Sequence, residues 1–398
     1  SFAMWTNILK LTLFLLFFTG RVVGDTTMPL TPSLSPKAPS VAAVSYLLLD
    51  YNTNTVLAEK NSTLQVEPAS LTKMLTVFIV DNEIRNGKIK PTDEVTISKH
   101  AWQTQGSRMF VQVGTKVKVE DLVKGVIIQS GNDASIALAE HIAGSEQAFA
   151  DLMNSYAQML GMKDSHFVNV TGLPDKAHIS SAQDMAILAR ALIKNFPETY
   201  KIYSQKEFTY NNIRQANRNR LLWRNDLVDG IKTGYTESAG YCLVASGVDN
   251  NSMRLIALVM GTKSDKARTE EANKLLNWGF RFYESHLVLK AGDALQQPKI
   301  WMGAQKRLPV GFADDLGIVT VRGDYNKYTA TTNINSFIKA PINRGDVVGS
   351  YIVHNANKEV ILERPIIALL TVTKGNIWQR GRDYVKLNVK NVFHKNKN

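Results

Sequence analysis

The hexapeptide Pro68-Ala69-Ser70-Leu71-Thr72-Lys73 opens a run of apolar residues at three-and-four spacing that continues to position 84, the period of an amphipathic helix. Residues three apart share one face of a helix, so the Ser70 hydroxyl and the Lys73 amine can meet. A serine is a weak nucleophile until a base takes its proton, and a lysine is that base only when neutral. Holding it half-neutral at pH 7 means lowering its pKa from about 10.4 to about 7, at a cost of about 4.6 kcal/mol. Burial beside positive charge supplies a change of that size. A serine at a helix start also sits beside backbone N–H groups that stabilise developing negative charge. Taken alone, the pair has a plainer reading, in which Ser70 caps a helix and Lys73 faces solvent.

Two further motifs change that balance. Ser130-Gly131-Asn132 lies between helical stretches that end at 128 and resume at 134. A loop serine there can relay a proton to a leaving amine, and the asparagine amide can orient a substrate amide. Lys232-Thr233-Gly234 precedes Tyr235 and a pair of late strands. Its lysine offers positive charge to a carboxylate or to the relay, its threonine hydroxyl can bind that carboxylate, and its glycine leaves the sheet edge open to a ligand backbone. Ser-x-x-Lys, Ser-x-Asn and Lys-Thr-Gly, in this order, resemble the motif set of the active-site serine penicillin-recognising enzymes.

Outward from these motifs, residues 41–57 read as a hairpin, and 240–246 with 253–260 as a second strand pair, both rich in β-branched and aliphatic residues. Between them, 71–84, 119–128, 134–143, 146–160 and 182–193 carry the helical period. Strands at both ends with helices between predict an α+β domain over 41–284, an antiparallel sheet with helices. Short alternating runs at 317–321, 327–332, 347–354 and 360–362 predict a small all-β, sandwich-like domain over 285–373. The tail, 374–398, places Ile377, Trp378, Tyr384, Val385, Val389, Val392 and Phe393 on one half of a helix, with Asp383, Lys386, Lys390 and Lys397 opposite. A basic amphipathic helix of that kind can lie in a membrane interface or dock on the protein itself; with no partner surface evident in the sequence, the membrane is the expectation. At the other end, Lys10, the apolar run 11–18 and small residues near Gly24 read as a secretory signal over 1–24. A Pro/Ser/Thr-rich linker over 25–40 follows it.

The net charge of +12 fits attraction of an exported protein to anionic lipid or polymer. No aromatic-basic signature accompanies it, so no nucleic acid partner is expected. The single cysteine, Cys242, excludes an intramolecular disulfide, and the scattered histidines form no ligand spacing; no metal or other cofactor is expected.

Beyond the three motifs, the chain resembles the low-molecular-mass, type-5 penicillin-binding proteins, serine-type D-alanyl-D-alanine carboxypeptidases. The likeness rests on Glu67-Pro-Ala-Ser-Leu-Thr-Lys73, Gln129-Ser-Gly-Asn-Asp133, Asp229-Gly-Ile-Lys-Thr-Gly234 and Ala239-Gly-Tyr241. Asn217-Arg-Asn219, Leu221-Leu-Trp223 and Asn277-Trp-Gly-Phe280 extend it. It implies a transpeptidase-like catalytic domain, a small β-domain and a terminal helix on the outer face of the cytoplasmic membrane, in the periplasm. Ser70 would be the nucleophile, Lys73 the base, and Ser130 with Lys232 the proton relay. Asn132 would bind the substrate amide, and Thr233 with Arg268 the terminal carboxylate. Gly234 would line the site, Arg218 would join the surrounding network, and the Ser70 and Tyr235 N–H groups would form the oxyanion hole. Some relatives have histidine where Tyr235 stands, so a histidine side-chain contribution to deacylation is absent. The substrate would be a peptidoglycan stem pentapeptide, and β-lactams would acylate the same serine. A serine β-lactamase would use the same motifs, but class A enzymes add a glutamate to activate water, and 163–174 contains none. A D,D-endopeptidase and a non-catalytic wall scaffold are the other readings; intact Ser70, Lys73, Ser130 and Lys232 argue against the last.

Overall fold

A computed structural model describes residues 36–395; the expected signal and most of the expected linker lie outside the described residues. Strands β1 (Ser45–Asp50) and β2 (Thr55–Lys60) form the early hairpin. Asp50 turns it, accepting from the Thr53 N–H at 3.1 Å and hydroxyl at 2.6 Å. With β3 (Val228–Thr236), β4 (Gly240–Val248) and β5 (Arg254–Thr262) they make a five-stranded antiparallel sheet, ordered β2-β1-β5-β4-β3. The two ends of the domain close through β1 on β5, with Ser45 opposite Met260 and Asp50 opposite Leu255.

Strands β1, β4 and β5 read as nearly unbroken apolar runs because helices cover both faces. Leu47, Leu49, Ile256, Leu258 and Met260 pack under a broad helical layer, while Leu48, Leu255, Ala257 and Val259 turn to the other side. That layer holds α1 (Lys73–Arg85), α2 (Val119–Gln129), α3 (Asn132–Ala143), α4 (Glu146–Leu160) and α5 (Ala182–Asn195). The opposite face is covered by α6 (Asp265–Phe282). Ser145, Ser181 and Ser264 cap α4, α5 and α6 by accepting the N–H of the residue three further on.

Two elements extend the sequence reading. Strand β3, at the edge of the sheet, carries two glycines and is buried along most of its length without alternation. Helix α6 is polar overall and buries only a narrow stripe, including Ala272, Leu275, Leu276 and Gly279. One boundary also differs: Ala69–Thr72 is a 3-10 turn, and the α-helix begins at Lys73.

The second domain starts with β6 (Tyr283–Leu289), then β7 (Val310–Gly311), β8 (Leu316–Val321), β9 (Thr329–Ile334), β10 (Val347–His354) and β11 (Val360–Ala368). β6 pairs with β8, and the others form a sheet ordered β7-β11-β10-β9. Its own core includes Ile300, Leu308, Phe312, Val348, Val353 and Ile366. The last strand runs well past position 362, through Pro365, which sits opposite Ser350. Helix α7 (Ile377–Lys395) ends the described chain, and its apolar stripe from Ile377 to Phe393 is exposed. Asp383 is not purely a solvent-facing residue, because its Oδ2 accepts the Met302 N–H at 2.7 Å. Among the described residues no helix is long and apolar enough to cross a membrane.

Candidate active site

The 3-10 turn at Ala69–Thr72 sets the first distance. In such a turn residues i and i+3 eclipse, and Lys73 Nζ lies 2.9 Å from Ser70 Oγ. Ala69, just before the serine, is fully buried at φ +51°, a left-handed conformation that costs an L-residue about 1–3 kcal/mol. It is held from outside by the 169–173 turn. Asn169 Oδ1 accepts the Gly172 N–H at 2.8 Å, and Gly172, at φ +86°, lies so close that any Cβ would collide with the Ala69 carbonyl.

Ser130 enters from the junction of α2 and α3. It ends α2 in a left-handed conformation, φ +54°, and Asn132 begins α3 one residue after Gly131. This kink aims Ser130 Oγ between two amines, Lys73 Nζ at 3.0 Å and Lys232 Nζ at 3.0 Å. Lys232 comes from β3 and also donates to the Thr233 carbonyl at 3.0 Å. Both lysines are buried, at 1% and 3% exposure. Burial pushes the Lys73 pKa down to about 7, with the Arg218 charge acting the same way and Asp133 against it. Burial likewise depresses Lys232 strongly, reinforced by Lys73, Arg218 and Arg268. One proton fewer on this pair relieves the repulsion of two ammonium groups sharing one oxygen.

The remaining expected residues line the same place. Asn132 donates Nδ2 to the Gln105 carbonyl at 2.7 Å, while its Oδ1 is buried without a partner, an acceptor open to a ligand N–H. The Thr233 hydroxyl makes no hydrogen bond to the described residues, and Gly234 brings the β3 edge so close that a Cβ there would stand 3.1 Å from the Ser70 backbone nitrogen. Tyr235, half exposed, stacks on Tyr241 with centroids 4.1 Å apart. Arg268 lies against this end of the strand: Nη1 donates to the Gly234 carbonyl at 3.0 Å, and Nε and Nη2 bind Asp265 at 2.9 and 2.7 Å. Arg218 forms no ion pair with a carboxylate among the described residues and acts on the lysines through its charge.

Three carboxylates complete the frame without having been singled out by chemistry in the sequence. Asp133 is buried and accepts four backbone N–H groups, those of Met109, Phe110, Val111 and Ala134, at 2.9–3.1 Å. It thereby ties the 105–111 segment, and with it the Asn132 partner Gln105, to the Ser-Gly-Asn junction. Asp229 takes both Nη atoms of Arg254 at 2.8 Å and the Tyr200 hydroxyl at 2.8 Å, fixing the start of β3. Asp265 holds Arg268. Asp133 and Asp229 adjoin the motifs and Asp265 stands three residues before Arg268, but adjacency gives no partner. Asp133→Ala is expected to strand those N–H groups at about 3–5 kcal/mol. The check is thermal unfolding together with the rate of β-lactam acylation, and both should fall.

Fold and site together define an active-site serine penicillin-recognising enzyme, with a serine between a mixed sheet-and-helix body and two buried lysines joined by a second serine. A family model described as D-alanyl-D-alanine carboxypeptidase matches residues 33–264, and one described as penicillin-binding protein 5, C-terminal domain, matches 283–374. The chain belongs to the D-alanyl-D-alanine carboxypeptidase family. It is 44% identical over 370 residues to the D-alanyl-D-alanine carboxypeptidase DacA of Escherichia coli (strain K12), covering 91% of this chain and 90% of that one. The structure of penicillin binding protein 5 from Haemophilus influenzae superposes with a TM-score of 0.79 at 40% identity, covering 85% of this chain and all of the other. Penicillin-binding protein D2 from Listeria monocytogenes, solved in its ampicillin-bound form, matches with a TM-score of 0.56 at 26% identity, over 60% of this chain and 98% of that one.

Proposed function

We propose that this D-alanyl-D-alanine carboxypeptidase removes the terminal D-alanine of peptidoglycan stem pentapeptides through an acyl-enzyme on Ser70. The observation that carries the reading is the buried Lys73 Nζ, 2.9 Å from Ser70 Oγ and 3.0 Å from Ser130 Oγ, with its pKa brought down to about 7. Neutral Lys73 takes the Ser70 proton as Oγ attacks the carbonyl of the penultimate D-alanine. The oxyanion is received by the Ser70 and Tyr235 N–H groups, donors of a kind worth about 3–4 kcal/mol each. The proton passes through Ser130, with Lys232 on its far side, to the nitrogen of the departing D-alanine. Water then releases the tetrapeptide and restores Ser70.

Asn132 Oδ1, lacking a protein donor, accepts a substrate N–H, and Thr233, supported by the positive field of Arg268, takes the terminal carboxylate. A β-lactam presents its own amide and carboxylate to the same groups and leaves a penicilloyl adduct, in keeping with the ampicillin-bound relative. The chain acts after export, in the periplasm, with α7 lying on the outer face of the cytoplasmic membrane. Its exposed apolar stripe and flanking lysines support that placement. The test is mass spectrometry of the protein mixed with a D-Ala-D-Ala peptide and, separately, with penicillin. Release of free D-alanine and a slowly decaying penicilloyl mass are expected. Rapid β-lactam turnover would make the enzyme a lactamase, and cleavage confined to dimeric muropeptides an endopeptidase.

A further inference from the structure

We infer that the end of the β-domain from which α7 departs is itself a membrane-facing surface that recognises the phosphates of anionic lipid headgroups. This rests on the reading that α7 lies in an interface, and adds a second contact to it.

Three segments, 297–307, 335–345 and 369–382, meet at this end. Bridges set Lys299 opposite Arg307, Trp301 opposite Lys339 and Gly303 opposite Lys374. Together the segments carry eight Lys or Arg residues, and the carboxylates at their ends, Asp346 and Asp383, accept the backbone N–H groups of Asn343 and Met302. Lys306, Lys339 and Lys374 are exposed and have no ion pair or side-chain hydrogen bond among the described residues. Their charge is therefore unneutralised by the protein, the condition under which basic residues bind anionic membrane surfaces.

The apolar part of the surface points the same way. Phe337 is 49% exposed and stacks on Trp301 at 6.4 Å, and Lys299 Nζ stands 3.6 Å from the same indole centroid. Trp301 is itself buried, so the exposed apolar group is Phe337, held on the indole beside the Lys299 amine, and an exposed ring flanked by amines suits the headgroup region of a membrane. A purely ionic polymer gives no reason for the phenylalanine.

The surface is continuous with the helix. Gly375 donates its N–H to the Met302 carbonyl at 2.9 Å, Ala304 to Thr373 at 3.0 Å, and Met302 to Asp383 Oδ2 at 2.7 Å. Asp383 is the one acidic residue of α7, and its carboxylate is turned inward against the β-domain. The apolar stripe then begins at Ile377 and Trp378, three residues after Lys374. Lipid on the stripe brings headgroups onto the lysines.

The test uses the full mature chain and vesicles of phosphatidylcholine with or without phosphatidylglycerol. The variant Lys306→Gln/Lys339→Gln/Lys374→Gln is expected to bind the anionic vesicles about 100-fold more weakly at low salt, each lysine being worth about fivefold. Its binding to pure phosphatidylcholine and its release of D-alanine should match wild type. A second variant, Trp378→Asp/Phe393→Asp, reports the helix alone and is expected to lose binding to both. Wild-type affinity in the triple variant, with loss in the helix variant, overturns the inference and leaves the helix reading standing. A wild-type chain that binds neither vesicle overturns both. Loss of binding to soluble anionic wall fragments, with vesicle binding intact, also overturns it and assigns the surface to a polymer.

Discussion

Ser70→Ala is expected to abolish D-alanine release and covalent labelling by fluorescent penicillin while leaving thermal unfolding nearly unchanged. The substitution removes one oxygen. Lys73 keeps its contact to Ser130, and Ser130 keeps both lysines, so the buried polar cluster stays satisfied. The left-handed Ala69 and its Gly172 support do not involve the hydroxyl. Gel labelling and peptide mapping check the outcome. The mapping matters because Ser130 is the other hydroxyl within reach of Lys73. A label recovered on the Ser130 peptide, or D-alanine release persisting in the variant, would reject Ser70 as nucleophile.

Lys73→Arg carries the second large effect. Arginine keeps the positive charge but stays protonated, with a pKa above about 12, so it cannot take the Ser70 proton. General-base assistance contributes about 10²–10⁴ in rate, and acylation is expected to fall by at least about a hundredfold. The guanidinium would also be a permanent charge beside Lys232 and Arg218, so unfolding should occur at lower temperature. Lys73→Met separates these effects, since it removes the base without adding charge. That variant should keep the wild-type melting temperature more closely and still be slow. Second-order rates of β-lactam acylation for the two variants check this, and a rate within about tenfold of wild type in either would remove Lys73 from the proton transfer.

Much of this arrangement was legible in the sequence where chemistry and periodicity coincide. Ser70 and Lys73 could be paired because residues three apart share a helix face, and the observed 3-10 turn brings such residues into eclipse. The helix at Glu146–Leu160 has a serine cap and a clear apolar stripe, and its boundaries follow from them. The Lys-Thr-Gly strand was harder to see. Lys232 reaches Ser130 and Gly234 closes on the Ser70 backbone, so the strand lacks the alternation that marks a half-buried one. Helix α6 was obscured by its polarity, although Ser264 and the spacing of Ala272, Leu275, Leu276 and Gly279 contained its signal. The partners of Asp133, Asp229 and Asp265 were not legible. Asp133 binds residues 22 to 24 positions upstream, and only the folded chain brings them together. Arg268 was expected at the substrate carboxylate, and the fold adds a bond to the Gly234 carbonyl. That bond makes it a support of the strand as well.

The proposed acylation turns on an amine that is half uncharged near neutral pH because it is buried beside another cation, Arg218. The most direct measurement is the rate at which a β-lactam adds mass to Ser70, followed from about pH 5 to about pH 9 in wild type and in Arg218→Gln. In wild type the rate should climb with pH through a midpoint near 7, where half of the Lys73 amines have shed their proton, and level off about one pH unit higher. Removing the Arg218 charge makes the protonated amine easier to hold, so the rising limb should move to higher pH. A rate independent of pH across that range, or a limb that moves lower in Arg218→Gln, would contradict the account.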